Sequence, residues 1–444
     1  MLNWIWLGLV VAAVVLGGLG GTLGEVTEGA FAMARTAVEI AIGLIGVMAL
    51  WLGVMRLAER SGLVRILALL LRPLMRRLFP DVPPDHPAMG SMLMNIAANM
   101  LGLANAATPL GLRAMKDLER LNPHPGTATN AMCTFLAINT SSVQLIPATA
   151  IAILASAGSA APTAVVGTAF LATVCSTAAG ITAVKLLERA PWFRIAAPAG
   201  AAPAAAGEAP GEAPGEEAGE PEAAAEWPEP APLTPAGRLL LLALAVFFGW
   251  LLIRLVAWPA AGAAASLPVR AVESLSLLAV PFLLAFFPLY AHLRKVPVYE
   301  EFTEGAKEGF QVAVRIIPFL AAILVAVGMF RSAGGIDILT ARLGPALGAI
   351  GMPAELLPMV LMRPLSGSGS MGLFTELVAT HGPDSLIARI AATVFGSTET
   401  TFYVVTVYFG AVAIRRTRHA IAAGLLADLA GVIAAVAICR IVFG

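Results

Sequence analysis

Long apolar segments with few charges run through most of this chain, and they constrain its fold more than any other feature. Hydrophobic residues make up 58% of the sequence and charged residues 13%, whereas soluble domains carry roughly 25% charged residues. In hydrocarbon, every backbone N–H and C=O must find a partner within the protein, and a helix of about 20 residues achieves this while crossing the bilayer. We therefore predict an all-α polytopic membrane protein.

The uninterrupted apolar segments are predicted to be single helices. Those expected to cross the membrane are 4–19, 30–57, 162–187, 239–258, 267–290, 305–330 and 420–443. Segments 63–79 and 336–350 are instead predicted to lie in the membrane interface. In the first of these, arginines interrupt a leucine-rich stripe, and their side chains can extend towards the lipid headgroups.

Four further apolar segments contain polar residues at membrane depth. They are 88–121, 127–157, 356–380 and 387–414, with interruptions at 104–109, 139–142, 363–370 and 397–400. Irregular backbone at that depth is tolerated only where protein buries it or where it lines a wet cavity. We predict discontinuous, re-entrant helices that break at these positions.

Residues 195–235 form the clearest domain boundary. This stretch is rich in Ala, Pro, Gly and Glu and contains no Lys or Arg. Such a composition cannot bury enough apolar surface to offset the entropy lost on ordering. We predict a disordered linker that joins two domains, residues 1–194 and 236–444.

The two domains repeat the same order of features. Glu28-Gly-Ala and Glu304-Gly-Ala stand at the start of the two longest helices, and Asn139-Thr-Ser-Ser142 aligns with Ser397-Thr-Glu-Thr400. Clusters of Lys and Arg mark cytoplasmic ends, and they put the end of the first long helix and the start of the second on the same side. We therefore predict two inverted repeats, an arrangement that places substrate sites near mid-membrane at the repeat interface.

Glu399 is the strongest candidate for a site residue. Placing an ionisable group inside a membrane costs free energy, and such a group usually marks a solute or ion pathway. It would accept hydrogen bonds from a polar solute, or carry a proton or help to bind Na⁺. The alternative is a structural carboxylate paired with a buried arginine, such as Arg363 or Arg389. The sequence leaves both interpretations open.

The stretch from Arg363 to Gly369 is rich in Gly and Ser. Its backbone N–H groups could converge on an anion, with Arg363 completing the site. The alternative is close helix packing through small residues, which is common in membranes. The stretch is not a phosphate-binding P-loop, because no Gly-Lys-Ser/Thr follows it.

Amide and hydroxyl side chains in the other interruptions complete the predicted substrate site. They offer the donors and acceptors that a nucleobase, a ribose or an amide would need, and their alternative role is hydrogen bonding between helices. The residues assigned to substrate binding are Asn99, Asn105, Thr108, Asn139, Ser141, Ser142, Arg363, Ser366, Ser368, Ser397, Glu399 and Thr400.

Several functional classes are disfavoured. The 28 Lys and Arg residues balance the 28 Asp and Glu residues, which argues against a nucleic-acid partner. The three cysteines are isolated in apolar runs without metal-ligand spacing. We find neither a His-Glu-x-x-His motif nor a Gly-x-Ser-x-Gly elbow with triad partners, so we expect no metal site and no enzyme.

Two long motifs in each domain carry a family resemblance. Ala98–Gly111 and Phe135–Pro147 resemble spore maturation protein A, whereas Met362–Ser370 and Phe395–Tyr403 resemble spore maturation protein B. The chain is therefore similar to a fusion of the two. Both belong to the nucleoside-recognition, or Gate-domain, group, whose wider relatives include concentrative nucleoside transporters.

The resemblance implies a multi-pass protein of the bacterial inner membrane. We expect a secondary transporter of a small polar or anionic metabolite, with a nucleoside-like substrate as one candidate. The alternative is a non-transporting scaffold or ligand receptor in spore or cell-envelope maturation.

The expected partners are a small-molecule substrate and the lipid bilayer, and self-association is left open. We expect no cofactor, and Na⁺ and H⁺ are the candidates for a coupling ion. The basic clusters place the N-terminus and the linker in the cytoplasm and the C-terminus outside.

Overall fold

The structure is a computed structural model that describes residues 2–193, 231–258, 266–349 and 351–444. Within these ranges the chain is helical, and its one β-type pairing is an isolated bridge between Thr127 and Arg416. The predicted linker, 195–235, lies mostly outside the described residues. The all-α prediction is confirmed.

The first half contains eight α-helices among the described residues. They are α1 (Leu2–Gly20), α2 (Leu23–Arg60), α3 (Leu63–Leu78), α4 (Pro87–Met100), α5 (Ala104–Glu119), α6 (Asn130–Thr140), α7 (Ala148–Ser156) and α8 (Val165–Leu187). The described part of the second half contains α9 (Pro235–Ala257), α10 (Leu267–Leu293), α11 (Val298–Ser332), α12 (Gly335–Ala349), α13 (Leu357–Met362), α14 (Gly367–His381), α15 (Leu386–Ser397), α16 (Thr401–Gly410) and α17 (Ala420–Phe443).

Six of the described helical segments are long and apolar enough to cross a membrane. They are Leu23–Arg60, Pro162–Leu187, Pro235–Ala257, Leu267–Leu293, Val298–Ser332 and Ala420–Phe443. Each coincides with one of the predicted spans. The remaining predicted span, 4–19, coincides with α1, a shorter apolar helix that is not among the six, so its crossing of the membrane stays a prediction. The chain is therefore a polytopic helical membrane protein.

The interrupted segments are broken helices, as predicted, but one break is displaced. The segment predicted to break at 104–109 ends its first helix at Met100, and α5 begins at Ala104, so Pro109 lies inside α5. Gly102 explains the shift because it adopts a positive φ of 77°, a left-handed conformation that ends helices and that glycine adopts without strain.

The long helices α2 and α11 pack side by side in opposite directions. A side chain added to Gly29, near the start of α2, would meet Ser332 and Gly328 near the end of α11; one added to Gly305, near the start of α11, would meet Leu52 near the end of α2. The same offset of 276 positions relates Gly29 to Gly305 and Leu52 to Gly328. The two contacts are therefore equivalent, as a two-fold relation between inverted copies requires.

The last helices of the two halves repeat this antiparallel arrangement. Gly180 of α8 lies against Ala427 of α17, and Ser176, one turn earlier in α8, lies against Gly431, one turn later in α17. The Ser176 hydroxyl also donates to the Ala427 carbonyl at 2.9 Å. Small residues let both helix pairs approach closely, which is how helices associate in membranes.

Ion pairs and backbone bonds join the halves at the ends of these helices. Arg56 Nε of α2 lies 2.8 Å from Glu301 Oε2 of α11. The turn after α5 meets the turn before α17, where Ala128 N donates to Arg416 O at 3.0 Å and Arg415 N donates to Gly126 O at 2.9 Å. The halves form one packed unit through contacts that do not involve the linker.

The glycine contact between α2 and α11 generates a test of the fold. A Cβ at residue 309 would lie 2.6 Å from the Met48 carbonyl oxygen, which is backbone and cannot move aside. We expect Gly309→Ala to destabilise the protein by about 1–3 kcal/mol, the usual cost of overpacking, measured as a lower Tm in detergent.

Gly46→Ala provides the matched control, because a Cβ at residue 46 of α2 would meet nothing within 4 Å. Alanine has the higher helix propensity by about 1 kcal/mol, so this variant should be neutral or more stable. Equal losses in the two variants would contradict the proposed close contact.

Candidate functional site

The two helix breaks that were aligned in the sequence touch each other. They are the loops between α6 and α7 (141–147) and between α15 and α16 (398–400), which we call the crossing loops. The backbone N–H of Glu399 donates to the carbonyl of Thr140 at 3.1 Å. Residues 139–142 and 397–400, from opposite halves, are therefore in contact.

Two hairpin tips support the crossing loops. Leu145 N donates to Met100 O at the tip between α4 and α5, and Phe402 N donates to Pro364 O at the tip between α13 and α14, at 3.0 and 2.9 Å. Each half thus supplies a hairpin tip and a broken helix. These bonds satisfy backbone groups that no helix can satisfy at a break.

The carboxylate of Glu399 is bound on one side and open on the other. Its Oε1 accepts a hydrogen bond from Gln144 Nε2 at 2.9 Å, and its Oε2 lies 3.8 Å from Arg363 Nη2. About 35% of its side chain is accessible, whereas Thr398 and Thr400 beside it are buried. The Glu399 side chain is therefore only partly enclosed by the protein.

Arg363 holds the second crossing loop in place. Its Nε donates to Thr398 Oγ1 at 3.1 Å and its Nη2 donates to the Phe395 carbonyl at 2.9 Å and to the Thr398 carbonyl. Its guanidinium also lies 4.6 Å from the centre of the Phe395 ring. The 3.8 Å approach to Glu399 is longer than these bonds, so the guanidinium acts chiefly on the backbone of the loop.

These contacts show which arginine lies near Glu399, and they distinguish between an anion site and helix packing for the Gly/Ser stretch 363–369. Of the two arginines, Arg363 is the one near Glu399, whereas Arg389 lies 3.7 Å from Asp384. The Ser366 hydroxyl accepts from Gly369 N at 3.0 Å as the N-cap of α14, and Ser368 Oγ lies 3.3 Å from it. Because Arg363 and Ser366 already have partners, the Gly/Ser stretch favours the packing role over an anion site.

A buried amide cluster lies beside the first crossing loop. Asn99 Nδ2 of α4 donates to Asn139 Oδ1 of α6 at 2.8 Å. Asn95, one turn earlier on the same face, donates to the Ala107 carbonyl at 2.7 Å and to the Tyr408 hydroxyl at 3.2 Å. The cluster joins both breaks of the first half to α16 of the second.

Tyr408 belongs to this cluster, and the sequence analysis did not assign it. Its hydroxyl lies 3.5 Å from Asn139 Oδ1, and its ring end contacts Gly111, where any side chain would collide with it. No local motif marks Tyr408, because its partners are about 300 residues away in sequence. Gln144 is also absent from the predicted substrate-binding set, although it contacts Glu399 directly.

The remaining assigned residues have no hydrogen bond to the opposite half among those described above. Ser141 is buried, its hydroxyl donating to the Ala137 carbonyl at 2.7 Å, and Ser142 is buried beside it. Ser397 donates to the Val394 carbonyl at 3.4 Å. Thr108 is half-buried in α5, and the side chain of Asn105 lies outside the described part of the structure.

Two cavities lie away from the crossing loops. One of about 210 Å³ is lined in part by Arg331, Glu376 and His381, near the end of α11. The other, of about 350 Å³, is lined in part by Asp81 and Asn130, near the start of α6. Neither is lined by an assigned residue, so the candidate site rests on the chemistry of the crossing loops and not on cavity size.

The family comparison covers both crossing loops. The Gate family model, described as nucleoside recognition, matches residues 41–158 and 313–415. The match thus includes α4 to α7 of the first half and α13 to α16 of the second, which are the elements that build the site.

Two proteins of Bacillus subtilis (strain 168) match different halves of the chain. Spore maturation protein B is 50% identical over 173 residues, which are 39% of this chain and 97% of that protein. Spore maturation protein A is 46% identical over 194 residues, which are 44% of this chain and 97% of that protein. The predicted resemblance to a fusion of the two is confirmed.

A solved structure also aligns with the chain. It is the crystal structure of the YdaH transporter of Alcanivorax borkumensis, described as revealing an unusual topology. The alignment covers 98% of this chain and 96% of that chain, with 15% identity and a TM-score of 0.42. At this level of similarity, nothing about the fold or function of this chain follows from the alignment.

The contacts of Arg363 generate a test of the site. Arg363→Lys retains the charge but cannot reach two carbonyls and a hydroxyl with a planar fork. A buried acceptor left without a donor costs about 1–3 kcal/mol, so we expect a loss of roughly 2–5 kcal/mol, measured by unfolding in detergent.

Arg389→Lys is the matched control. Arg389 also lies over an aromatic ring, Phe443, and faces a carboxylate, but its side chain is partly exposed. We expect a loss below about 1 kcal/mol there. A similar loss in both variants would mean that Arg363 is not the residue that holds the loop.

Proposed function

The chain belongs to the Gate nucleoside-recognition family of membrane proteins, and from that premise we propose that it is a secondary transporter of a small polar or anionic metabolite. Its substrate site is the junction of the crossing loops, at the interface of the two inverted halves. A nucleoside-like molecule is the candidate that the family description favours.

The observation that carries this proposal is the direct contact between the two loops. Glu399 N and Thr140 O are bonded across the halves at 3.1 Å, and the Glu399 carboxylate remains about one-third accessible. Broken helices that meet at mid-membrane from inverted repeats are the usual construction of a transporter site. An intramembrane carboxylate is typical of a solute or ion pathway.

The side chains around the junction suit a neutral polar ligand such as a nucleoside. The Glu399 carboxylate can accept the hydrogen bonds that a pair of ribose hydroxyls would donate. The side-chain amides of Asn99 and Asn139 can both donate and accept hydrogen bonds. Gln144 connects these two sets, because it belongs to the loop that follows Asn139 and contacts Glu399. The assigned hydroxyls of Ser142 and Thr400 complete a polar lining.

The inverted fold supports alternating access. The helix pairs α2–α11 and α8–α17 each join one half to the other through small residues, so the halves can rock about these contacts while the site stays between them. The crossing loops would then open towards one side and the other in turn.

We further propose that the protein lies in the bacterial inner membrane with its N-terminus and linker in the cytoplasm and its C-terminus outside. The positions of the basic residues support this orientation. Arg56 and Arg60 at the end of α2 pair with Glu301 at the start of α11, and Arg294 after α10 donates to the Ser61 carbonyl. Basic clusters of this kind mark cytoplasmic ends.

The second candidate is a scaffold or receptor that binds a ligand or an envelope partner without moving a solute. The two hydrogen bonds across the junction, from Glu399 N to Thr140 O and from Gln144 to the Glu399 carboxylate, favour it, because a bonded junction suits a fixed conformation. It predicts ligand binding with no accumulation of solute in proteoliposomes.

The test begins with thermal shifts of the purified protein against a panel of nucleosides, dicarboxylates and pyridine carboxylates. A compound that raises the Tm is then measured for flux in proteoliposomes. We expect Glu399→Gln to reduce this uptake by about 10- to 100-fold, since a hydrogen bond to a charged group contributes roughly 1.5–3 kcal/mol. The fold should survive, because the amide oxygen of the substituted side chain can still accept a hydrogen bond from Gln144.

Glu300→Gln, at an exposed carboxylate in the first turn of α11, is the matched control and should transport normally. Uptake by Glu399→Gln equal to that of wild type would remove Glu399 from the mechanism. Binding without flux in any preparation would favour the receptor.

A further inference from the structure

Asp428 is a second intramembrane carboxylate, and the proposed substrate site does not use it. It lies within the membrane-spanning helix α17 and is 5% exposed. Its Oδ2 accepts a hydrogen bond from Thr401 Oγ1 at 2.7 Å. Its Oδ1 is buried and has no hydrogen-bond partner among the described residues.

The helix face that carries Asp428 packs against the second crossing loop, the end of α6 and the start of α16. Gly424, Asp428 and Gly431 follow the spacing that puts residues on one helix face. A Cβ at residue 424 would meet the hydroxyls of Thr401 and Thr140, at 3.2 and 3.3 Å, and one at residue 431 would meet Thr398. The two glycines thus seat the carboxylate beside the point where the halves join.

Two threonine hydroxyls lie at the α17 face that carries this carboxylate. Thr401 supplies a hydroxyl to Asp428 Oδ2, and the Thr140 hydroxyl donates to the Ala137 carbonyl at 3.0 Å, which leaves lone pairs on both hydroxyl oxygens. Carboxylate and hydroxyl oxygens suit small, hard cations. The described residues contain no group of three or more His, Cys, Asp or Glu that could hold a metal ion, which disfavours a transition-metal site.

The charge count indicates a monovalent ion. Arg363 and Glu399 lie 3.8 Å apart, and Arg363 bonds to Thr398, which faces Gly431 on the helix face that carries Asp428. With Asp428 ionised, these three side chains carry one positive and two negative charges. An uncompensated charge inside a membrane protein is costly. One monovalent cation neutralises the cluster, whereas a divalent cation would leave it with a net positive charge.

We propose that Asp428, with the hydroxyls of Thr401 and Thr140, forms a binding site for one monovalent cation, Na⁺ or a proton, beside the crossing loops. Its role as a coupling site rests on the proposed transport function, but the binding itself does not. Occupancy would hold α17, α6 and the start of α16 together, and loss of the ion would release the junction.

The plainer explanation is that Asp428 only anchors Thr401 at the start of α16. Asp428→Asn distinguishes the two roles, because the amide oxygen can still accept from Thr401 while the charge is gone. The variant should fold, and it should lose its response to the cation.

The experiment measures the Tm of the purified protein in detergent at pH 8 while NaCl replaces choline chloride at constant ionic strength. For wild type we expect a rise of about 5 °C when Na⁺ reaches 100 times its Kd, and no rise for Asp428→Asn. Asp117→Asn is the matched control: Asp117 is also buried, but its oxygens contact Ser91 and Arg120, so this variant should retain the rise.

A second series lowers the pH from about 8 to about 6 without Na⁺, to test whether a proton can take the place of the metal ion. The proton would be identified as the cation by two results together: the wild-type Tm rises at lower pH while that of Asp428→Asn does not, and Na⁺ has no effect on the wild-type Tm. No difference between wild type and Asp428→Asn in either series would overturn the proposal.

Two further measurements keep the test independent of folding and of transport. If Asp428→Asn does not fold, equilibrium binding of ²²Na⁺ to wild type and to Thr401→Val replaces it, with at least a tenfold weaker affinity expected in the variant. If Na⁺ or H⁺ binds but no compound is transported, the cation site stands and the transport function fails. If uptake does not change with Na⁺ or pH gradients, the bound cation has a structural role and is not coupled to transport.

Discussion

The requirement that backbone polar groups be satisfied inside a membrane governs this fold. A helix that breaks at mid-membrane exposes N–H and C=O groups that water cannot reach, and each would cost several kcal/mol if left alone. The protein satisfies them by bonding one break to another: Leu145 to Met100, Phe402 to Pro364, and Glu399 to Thr140. Each broken helix thus supplies hydrogen-bond partners for another, and the bond from Glu399 to Thr140 runs between the two halves.

Small residues let the helices of the two halves approach closely enough to make these contacts. The glycines of α2 and α11 allow two long helices to lie in backbone contact, and Gly424 and Gly431 leave room on α17 for the threonine side chains at residues 140, 398 and 401. Because lipid tails are as apolar as leucine, helix association in a membrane comes from close packing and polar contacts and not from the hydrophobic effect. The polar groups are therefore concentrated where the small residues bring helices together.

Much of the architecture could be predicted from the sequence. Uninterrupted apolar runs predicted the spans, and the aligned loops at Asn139 and Ser397 predicted which breaks would meet. Both signals can be read directly from the pattern of residues in one sequence. The displaced break at Gly102 was missed because Pro109 gave the stronger local signal, although a proline within a helix is tolerated in membranes. Tyr408 and the loop-holding role of Arg363 depend on contacts between distant parts of the chain, and a single sequence carries no record of those.

The backbone pairing of Gly126 and Ala128 with Arg415 and Arg416 has a consequence for how such a protein can be assembled. It joins the halves through main-chain groups, with no contribution from residues 195–235. Two separate polypeptides, one for each half, could therefore recognise each other without a tether, and each of the two Bacillus subtilis relatives matches about one half of this chain. Joining them in one chain fixes their stoichiometry at one to one and raises their effective concentration.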